Sequence, residues 1–121
     1  MKELKSVFSR EELTENAVKL LKKLIATPSM SRDEYNVSLI IEGFFNEHQI
    51  KVNRFKNNIW ATNKYFDAGK PSILLNTHHD TVKPNKAYTL NPFSPVEKDG
   101  KLFGLGSNDA GASLVAMAQT F

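Results

Sequence analysis

Two histidines and an aspartate stand together at positions 77–82, where the sequence reads T-H-H-D-T-V. Along an extended backbone alternate side chains face the same way, so His78 and Asp80 should share one side and His79 should face the other. That spacing suits an imidazole that binds a metal, with a carboxylate close enough to fix its tautomer and orientation. By itself the pattern is weak, because a polar strand end can also carry two histidines.

A glycine-rich turn at positions 104–112, G-L-G-S-N-D-A-G-A, carries a second candidate carboxylate, Asp109. A phosphate-binding loop is excluded, because the turn lacks G-x-G-x-x-G spacing and a Walker lysine, and because Asp109 would repel an anion. Two uses stay open at this point. Asp109 or Asn108 is an ordinary helix N-cap, or Asp109 joins His78 at a shared site.

Two helices are predicted ahead of these candidates. Sequences of the S-x-x-E form at 9–12 and 31–34 are typical of capping boxes, and apolar residues then recur at helical spacing. The first helix should cover residues 10–26, because the Thr27-Pro28 pair ends it. The second should follow the second box and bury a face that begins at Val37.

The strands should place the histidines at the end of a sheet. Residues 50–56 and 59–62 predict a hairpin around Asn57-Asn58, with Trp60 in the core. The apolar run 72–77 predicts a central strand buried on both faces, and ligands bind at the carboxyl ends of such strands. Prolines predict a long loop over 80–99, followed by a short strand at 101–103 and a final helix.

Composition narrows the function. The 121 residues are 40% apolar and 24% charged, which is typical of one folded domain or part of one. Sixteen basic and thirteen acidic residues are scattered along the chain, so no nucleic-acid partner is expected. No apolar run approaches a membrane span and residues 1–6 lack a secretory signal, so we expect no membrane partner and a cytoplasmic location. The absence of cysteine leaves histidines and carboxylates for metal or acid–base chemistry.

Three motifs in order, T-H-H-D-T-V, N-P-F-S-P and D-G-K-L-F-G-L-G-S-N-D, resemble the N-terminal catalytic segment of the M20 metallopeptidase and deacylase family. The resemblance covers residues 72–121, and the family includes acetylornithine deacetylases, succinyl-diaminopimelate desuccinylases and carboxypeptidase G-like enzymes. It implies an α/β fold, the N-terminal part of a zinc-peptidase-like catalytic domain, with two helices followed by a mixed sheet and a truncated helix.

Carried over residue by residue, the resemblance implies that His78 binds one divalent metal and that Asp109 bridges two. The metal is usually zinc, with two ions per site, and cobalt or manganese sometimes replaces it. Asp80 belongs to the catalytic set because it orients His78, whereas His79 has no role. The peptide bond after Asp109 is a candidate for the cis form.

Residues 1–121 are expected to be an incomplete N-terminal portion of the catalytic domain, without the lid domain through which the family often forms homodimers. The family's general-base glutamate and remaining metal ligands are expected beyond Phe121, so the chain alone should be inactive. The sequence departs from the family pattern at three places. Leu105 and Gly111 stand where arginine and lysine are common, and a tryptophan is common near Tyr88.

The G-L-G-S-N-D-A-G-A-S version of the turn is similar to acylornithine-type deacetylases of arginine biosynthesis. We therefore expect a metal-dependent hydrolase of a small N-acyl amino acid. Two alternatives stay open. One is a dipeptidase or aminopeptidase of the same family. The other is a non-catalytic relative that acts as a binding module, which the departures at Leu105 and Gly111 favour.

Overall fold

A computed structural model describes residues 8–121 of the chain. Residues 1–7, which include the stretch behind the expectation of no secretory signal, lie outside the described residues. The described residues form both α-helices and β-strands, as the predicted α/β fold class requires. The elements, in chain order, are α1 (Arg10–Ile25), α2 (Tyr35–Glu47), β1 (Val52–Phe55), β2 (Asn58–Ala61), β3 (Val96–Lys98), β4 (Lys101–Phe103) and α3 (Ala112–Ala118). In the part of the chain that is described, no helix combines the length and the apolar character needed to cross a membrane.

Helix α1 begins at the predicted capping box. The Glu12 amide donates to Ser9 Oγ at 3.1 Å, and the Ser9 amide donates to Glu12 Oε2 at 2.7 Å. These two bonds satisfy amides that would otherwise lack partners in the first turn. The helix ends at Ile25, within one residue of the predicted end.

Helix α2 forms as predicted, but the expected capping box at its start is wrong. No side chain caps its first turn. The Ser31 hydroxyl donates to the Asp80 carboxylate instead. The Glu34 carboxylate accepts from the Arg32 amide and, at 2.8 Å, from Asn57 Nδ2. Contacts with distant parts of the chain therefore replace the local bonds that the S-x-x-E pattern predicts.

The core lies where α1 packs against α2 and α3. The short helix α3 contributes three buried residues to this core, Leu114, Val115 and Ala118. The buried apolar residues of this core are Leu20, Leu21, Ile25, Val37, Ile41, Leu114, Val115 and Ala118. Because α3 follows the glycine-rich turn directly, packing of α3 on α1 fixes where that turn lies.

A substitution at Ile25 tests this packing, because the side chain is 2% exposed. It also lies against the glycine-rich turn, since a Cβ added at Gly104 would be 2.3 Å from Ile25 Cγ2. We expect Ile25→Ala to lower the free energy of unfolding by about 2–5 kcal/mol, because it leaves a cavity between α1 and the turn. Urea denaturation measures the change. Leu39→Ala is the matched control, because Leu39 is 45% exposed, and an equal loss there would contradict the assignment of the core.

The first hairpin, β1–β2, forms where it is predicted. Its turn is Lys56-Asn57, and Phe55 pairs with Asn58. The second hairpin, β3–β4, lies partly inside the stretch predicted as a loop. Its turn, Asp99-Gly100, has positive φ at both residues (53° and 69°). An Asp-Gly pair is a strong sequence signal for such a turn, and the three prolines upstream obscured it.

The predicted central strand at 72–77 and the single mixed sheet are both wrong for residues 8–121. These residues contain two separate antiparallel hairpins and one isolated parallel bridge between Met30 and Thr81. Ile73 and Leu74 are 89% and 87% exposed. An apolar run predicts burial, but a strand also needs a neighbouring strand to accept and donate its backbone hydrogen bonds. None of the described strands lies beside residues 72–77, so this segment does not form a strand.

The expected core position of Trp60 is also wrong, because its side chain is half exposed. Side chains alternate across β2, and Ile59 and Ala61 occupy the two partly buried positions. Trp60 therefore faces outward.

Candidate metal centre

The structure brings His78, Asp80 and Asp109 together. Nδ1 of His78 lies 3.1 Å from Asp80 Oδ1 and 3.2 Å from the Asp80 carbonyl oxygen. Nε2 on the other side of the ring lies 3.1 Å from Asp109 Oδ1. The two carboxylates, one two residues away and one 31 residues away, thus face the two nitrogens of one imidazole.

His79 faces a different part of the molecule, as the alternation of side chains predicts. Its Nε2–H donates to the Asn57 carbonyl in the β1–β2 turn at 3.0 Å, and its own carbonyl accepts from Ser29 Oγ at 2.8 Å. These bonds tie the segment of His78 to the rest of the fold. They do not bring the ring of His79 to the two carboxylates.

Asp109 lies in the turn Ser107–Gly111, where its backbone is not helical (φ −118°, ψ 96°). The peptide bond from Asp109 to Ala110 is cis, as the resemblance predicts. Helix α3 starts only at Ala112 and has no side-chain cap, so the expectation that Asn108 or Asp109 caps it is wrong. Asp109 stands two residues before the N-cap position, Gly111, and its carboxylate contacts His78.

Packing accounts for two of the departures from the family pattern. Leu105 is 7% exposed and belongs to the interior. A Cβ at Gly111 would lie 2.5 Å from the Gly106 carbonyl oxygen, which accepts the Gly111 amide at 2.9 Å. No longer side chain fits there without moving the turn. Tyr88 is half exposed, and nothing in the structure explains the departure near it.

Ser31 is the site residue that the sequence did not predict. Its hydroxyl donates to Asp80 Oδ2, the oxygen that does not face His78. The two residues are 49 positions apart, and no local pattern links them. The only signal, the S-x-x-E form at 31–34, pointed to a helix cap.

The two carboxylates make the site electronegative. Partial desolvation lowers the pKa of His78, but the Asp80 carbonyl and the carboxylates of Asp109 and Asp80 outweigh it, so the pKa of His78 is raised above its usual value. The Ser31 hydroxyl, followed by the His78 ring, lowers the pKa of Asp80. Asp80 is therefore ionised near neutral pH and available as an acceptor.

The donors of this site fit a divalent metal. When Nδ1–H of a neutral imidazole donates to a carboxylate, the lone pair of Nε2 is free for a metal. His78 Nε2 and Asp109 Oδ1 are 3.1 Å apart, a spacing that suits two ligands at zinc distances of about 2.0–2.2 Å. Within residues 8–121 no group of three or more metal-ligating side chains is found. Catalytic zinc usually has three protein ligands, so these residues fit part of a coordination sphere.

The His78 imidazole thus lies between two carboxylates, and a carboxylate on one ring nitrogen is a common partner of histidines that bind metals. Comparison with known proteins identifies the family. The sequence profile of peptidase family M20/M25/M40 matches residues 74–121. The chain belongs to this M20 family, as its motifs predict.

Several curated proteins are similar to the chain. It is 38% identical over 107 residues to the acetylornithine deacetylase of Proteus mirabilis, a match that covers 76% of the chain and 27% of that protein. It is 29% identical over 106 residues to the succinyl-diaminopimelate desuccinylase of Sulfurovum sp., covering 86% of the chain and 28% of the relative. A probable succinyl-diaminopimelate desuccinylase of Staphylococcus aureus is 29% identical over 122 residues, a match that covers 95% of the chain and 29% of that protein. The chain thus spans less than a third of the length of these relatives.

Proposed function

We propose that the chain is the N-terminal portion of the catalytic domain of a metal-dependent hydrolase that cleaves the N-acyl bond of a small amino acid. The proposed substrate class is an acylornithine, as in an acetylornithine deacetylase of arginine biosynthesis. The observation that carries the proposal is the convergence of Asp80 and Asp109 on the two nitrogens of His78. Family membership supports the reaction class, and the 38% identity to an acetylornithine deacetylase supports the substrate.

The residues would act as follows. His78 would hold the metal through Nε2, Asp80 would keep the ring in the orientation that presents Nε2, and Asp109 would offer its carboxylate to the metals. Zinc, or cobalt or manganese in its place, supplies a Lewis acid for the acyl carbonyl and for the attacking water. Asp80 is not the general base, because both of its oxygens are engaged by Ser31 and His78. We assign that role to a glutamate outside these 121 residues.

Three further expectations belong to this proposal. The chain spans 27% to 29% of these three relatives. We propose that it is part of a longer protein that also has a lid domain and forms homodimers. We propose a cytoplasmic location. We propose no nucleic-acid or membrane partner, in keeping with the scattered basic residues.

Hydrolysis of N-acetylornithine by the full-length protein tests the substrate. We expect the zinc-loaded protein to release acetate, a strong chelator to abolish the reaction, and added zinc to restore it, because metal and water act together. N-succinyl-diaminopimelate is the competing substrate, favoured by the longer coverage of the desuccinylases. A higher kcat/KM for the succinyl compound would replace the acylornithine assignment, and hydrolysis that survives chelation would contradict the metal-dependent mechanism.

A further inference from the structure

Ser31 holds one oxygen of the carboxylate that orients His78. Asp80 divides its two oxygens between two partners, with Oδ2 accepting from the Ser31 hydroxyl and Oδ1 facing His78 Nδ1 at 3.1 Å. A carboxylate bonded through one oxygen alone can still rotate about its terminal torsion, which is broad and roughly two-fold. A second bond on the other oxygen removes that freedom. The contacts with Ser31 and His78 together therefore restrict the plane of the Asp80 carboxylate.

The rest of the fold keeps the Ser31 hydroxyl at this position. The segment before it is joined to the His78–Asp80 segment by a parallel bridge between Met30 and Thr81, in which the Thr81 amide donates to the Ser29 carbonyl at 2.7 Å. The Ser29 side chain, 2% exposed, donates to the His79 carbonyl at 2.8 Å. These bonds flank the pair formed by Ser31 and Asp80. Backbone pairing of the two segments thus brings the Ser31 hydroxyl within hydrogen-bond distance of the Asp80 carboxylate.

A helix-capping role for Ser31 does not account for this arrangement. No side chain caps α2, although the S-x-x-E form would allow Ser31 to do so. Asp80 is only 34% exposed, so its carboxylate is partly removed from the water that would otherwise compete for Oδ2. A charge-assisted bond of this type is stronger than a neutral one.

We propose that Ser31 is a positioning residue for the metal centre, which acts through Asp80 on the orientation of the His78 ring. The proposal rests on the proposed function, since it requires that His78 binds a metal. The side-chain hydrogen bond of Ser31 goes to Asp80 and not to His78 or Asp109. Its effect reaches Nε2 only through the carboxylate and the ring.

Zinc affinity of the full-length apoprotein, measured by competition with a chromophoric chelator, tests the proposal. Loss of an outer-shell partner typically weakens metal affinity by about 10–100-fold, so we expect Ser31→Ala to fall near the lower end of that range. Ser31→Thr keeps the hydroxyl and should bind zinc within about twofold of the wild type. Ser72→Ala, at an exposed serine outside the site, is the matched control and should leave the affinity unchanged.

A second readout separates positioning from a merely structural role. The melting temperature of apo Ser31→Ala should stay close to that of the wild type, and the absorption spectrum of the cobalt-loaded variant should change. Unchanged zinc affinity in Ser31→Ala, in a protein whose wild type binds zinc and whose His78→Ala variant does not, would overturn the role of Ser31 alone. A wild type that binds no zinc would overturn the proposed function. An affinity loss that threonine does not restore, together with a lower apo melting temperature, would assign Ser31 to folding and refute positioning.

Discussion

His78→Ala and Asp109→Ala in the full-length protein are each expected to remove bound zinc and hydrolytic activity together. Each variant deletes one of the two donors that face each other at 3.1 Å. The loss should exceed the roughly 10–100-fold that follows from deleting an outer-shell partner, because a direct ligand is gone. Metal content per protein after exhaustive dialysis, determined by mass spectrometry, measures the effect.

Neither substitution should unfold the protein, which makes the result interpretable. The side chains of His78 and Asp109 are 52% and 89% exposed, and exposed substitutions usually change the free energy of unfolding by no more than about 0.5 kcal/mol. Circular dichroism of both variants checks this.

His79→Ala is the matched control. It removes an adjacent imidazole that donates to the Asn57 carbonyl, so we expect a loss of about 1 kcal/mol in stability with most of the metal retained. Zinc stoichiometry that stays at the wild-type value in both His78→Ala and Asp109→Ala would contradict the assignment. Equal metal loss in all three variants would show that the segment, rather than the ligands, is responsible.

The parts of the fold that could be predicted are those fixed by neighbouring residues. The capping box at Ser9 and the Thr27-Pro28 pair set the bounds of α1 to within one residue. The alternation of His78 and Asp80 followed from an extended backbone. Two features of the site were predicted from the family motifs and not from spacing: the approach of Asp109 to His78 and the cis peptide bond after Asp109.

The parts that could not be predicted depend on contacts between distant residues. Ser31 fits a helix cap by local pattern, but a carboxylate 49 residues away takes its hydroxyl. The run 72–77 has the composition of a buried strand, yet Ile73 and Leu74 are exposed because no described strand lies beside them. The sequence of a segment sets which structures it can form, and its contacts with distant residues determine which of them it adopts.

Asp80 offers the second large expected effect, and two substitutions separate its contributions. Asp80→Ala removes the acceptor for His78 Nδ1 and the partner of Ser31, so the ring loses its fixed orientation. We expect zinc affinity to fall by about 10–100-fold. Asp80→Asn keeps one oxygen that can accept from Nδ1 and removes only the charge, so its loss should be smaller than that of alanine. Zinc competition titrations on both variants give the comparison.

The relative zinc affinities of Asp80→Ala and Asp80→Asn distinguish two physical roles for this carboxylate. If orientation dominates, asparagine retains most of the affinity, because an amide oxygen still accepts from Nδ1 of His78. If the negative charge dominates by making the imidazole a better donor to the metal, asparagine should lose as much as alanine. Affinity that is unchanged in Asp80→Ala would contradict both roles. The split of the Asp80 oxygens between Ser31 and His78 favours orientation, since a carboxylate that acted by charge alone would not need both oxygens engaged.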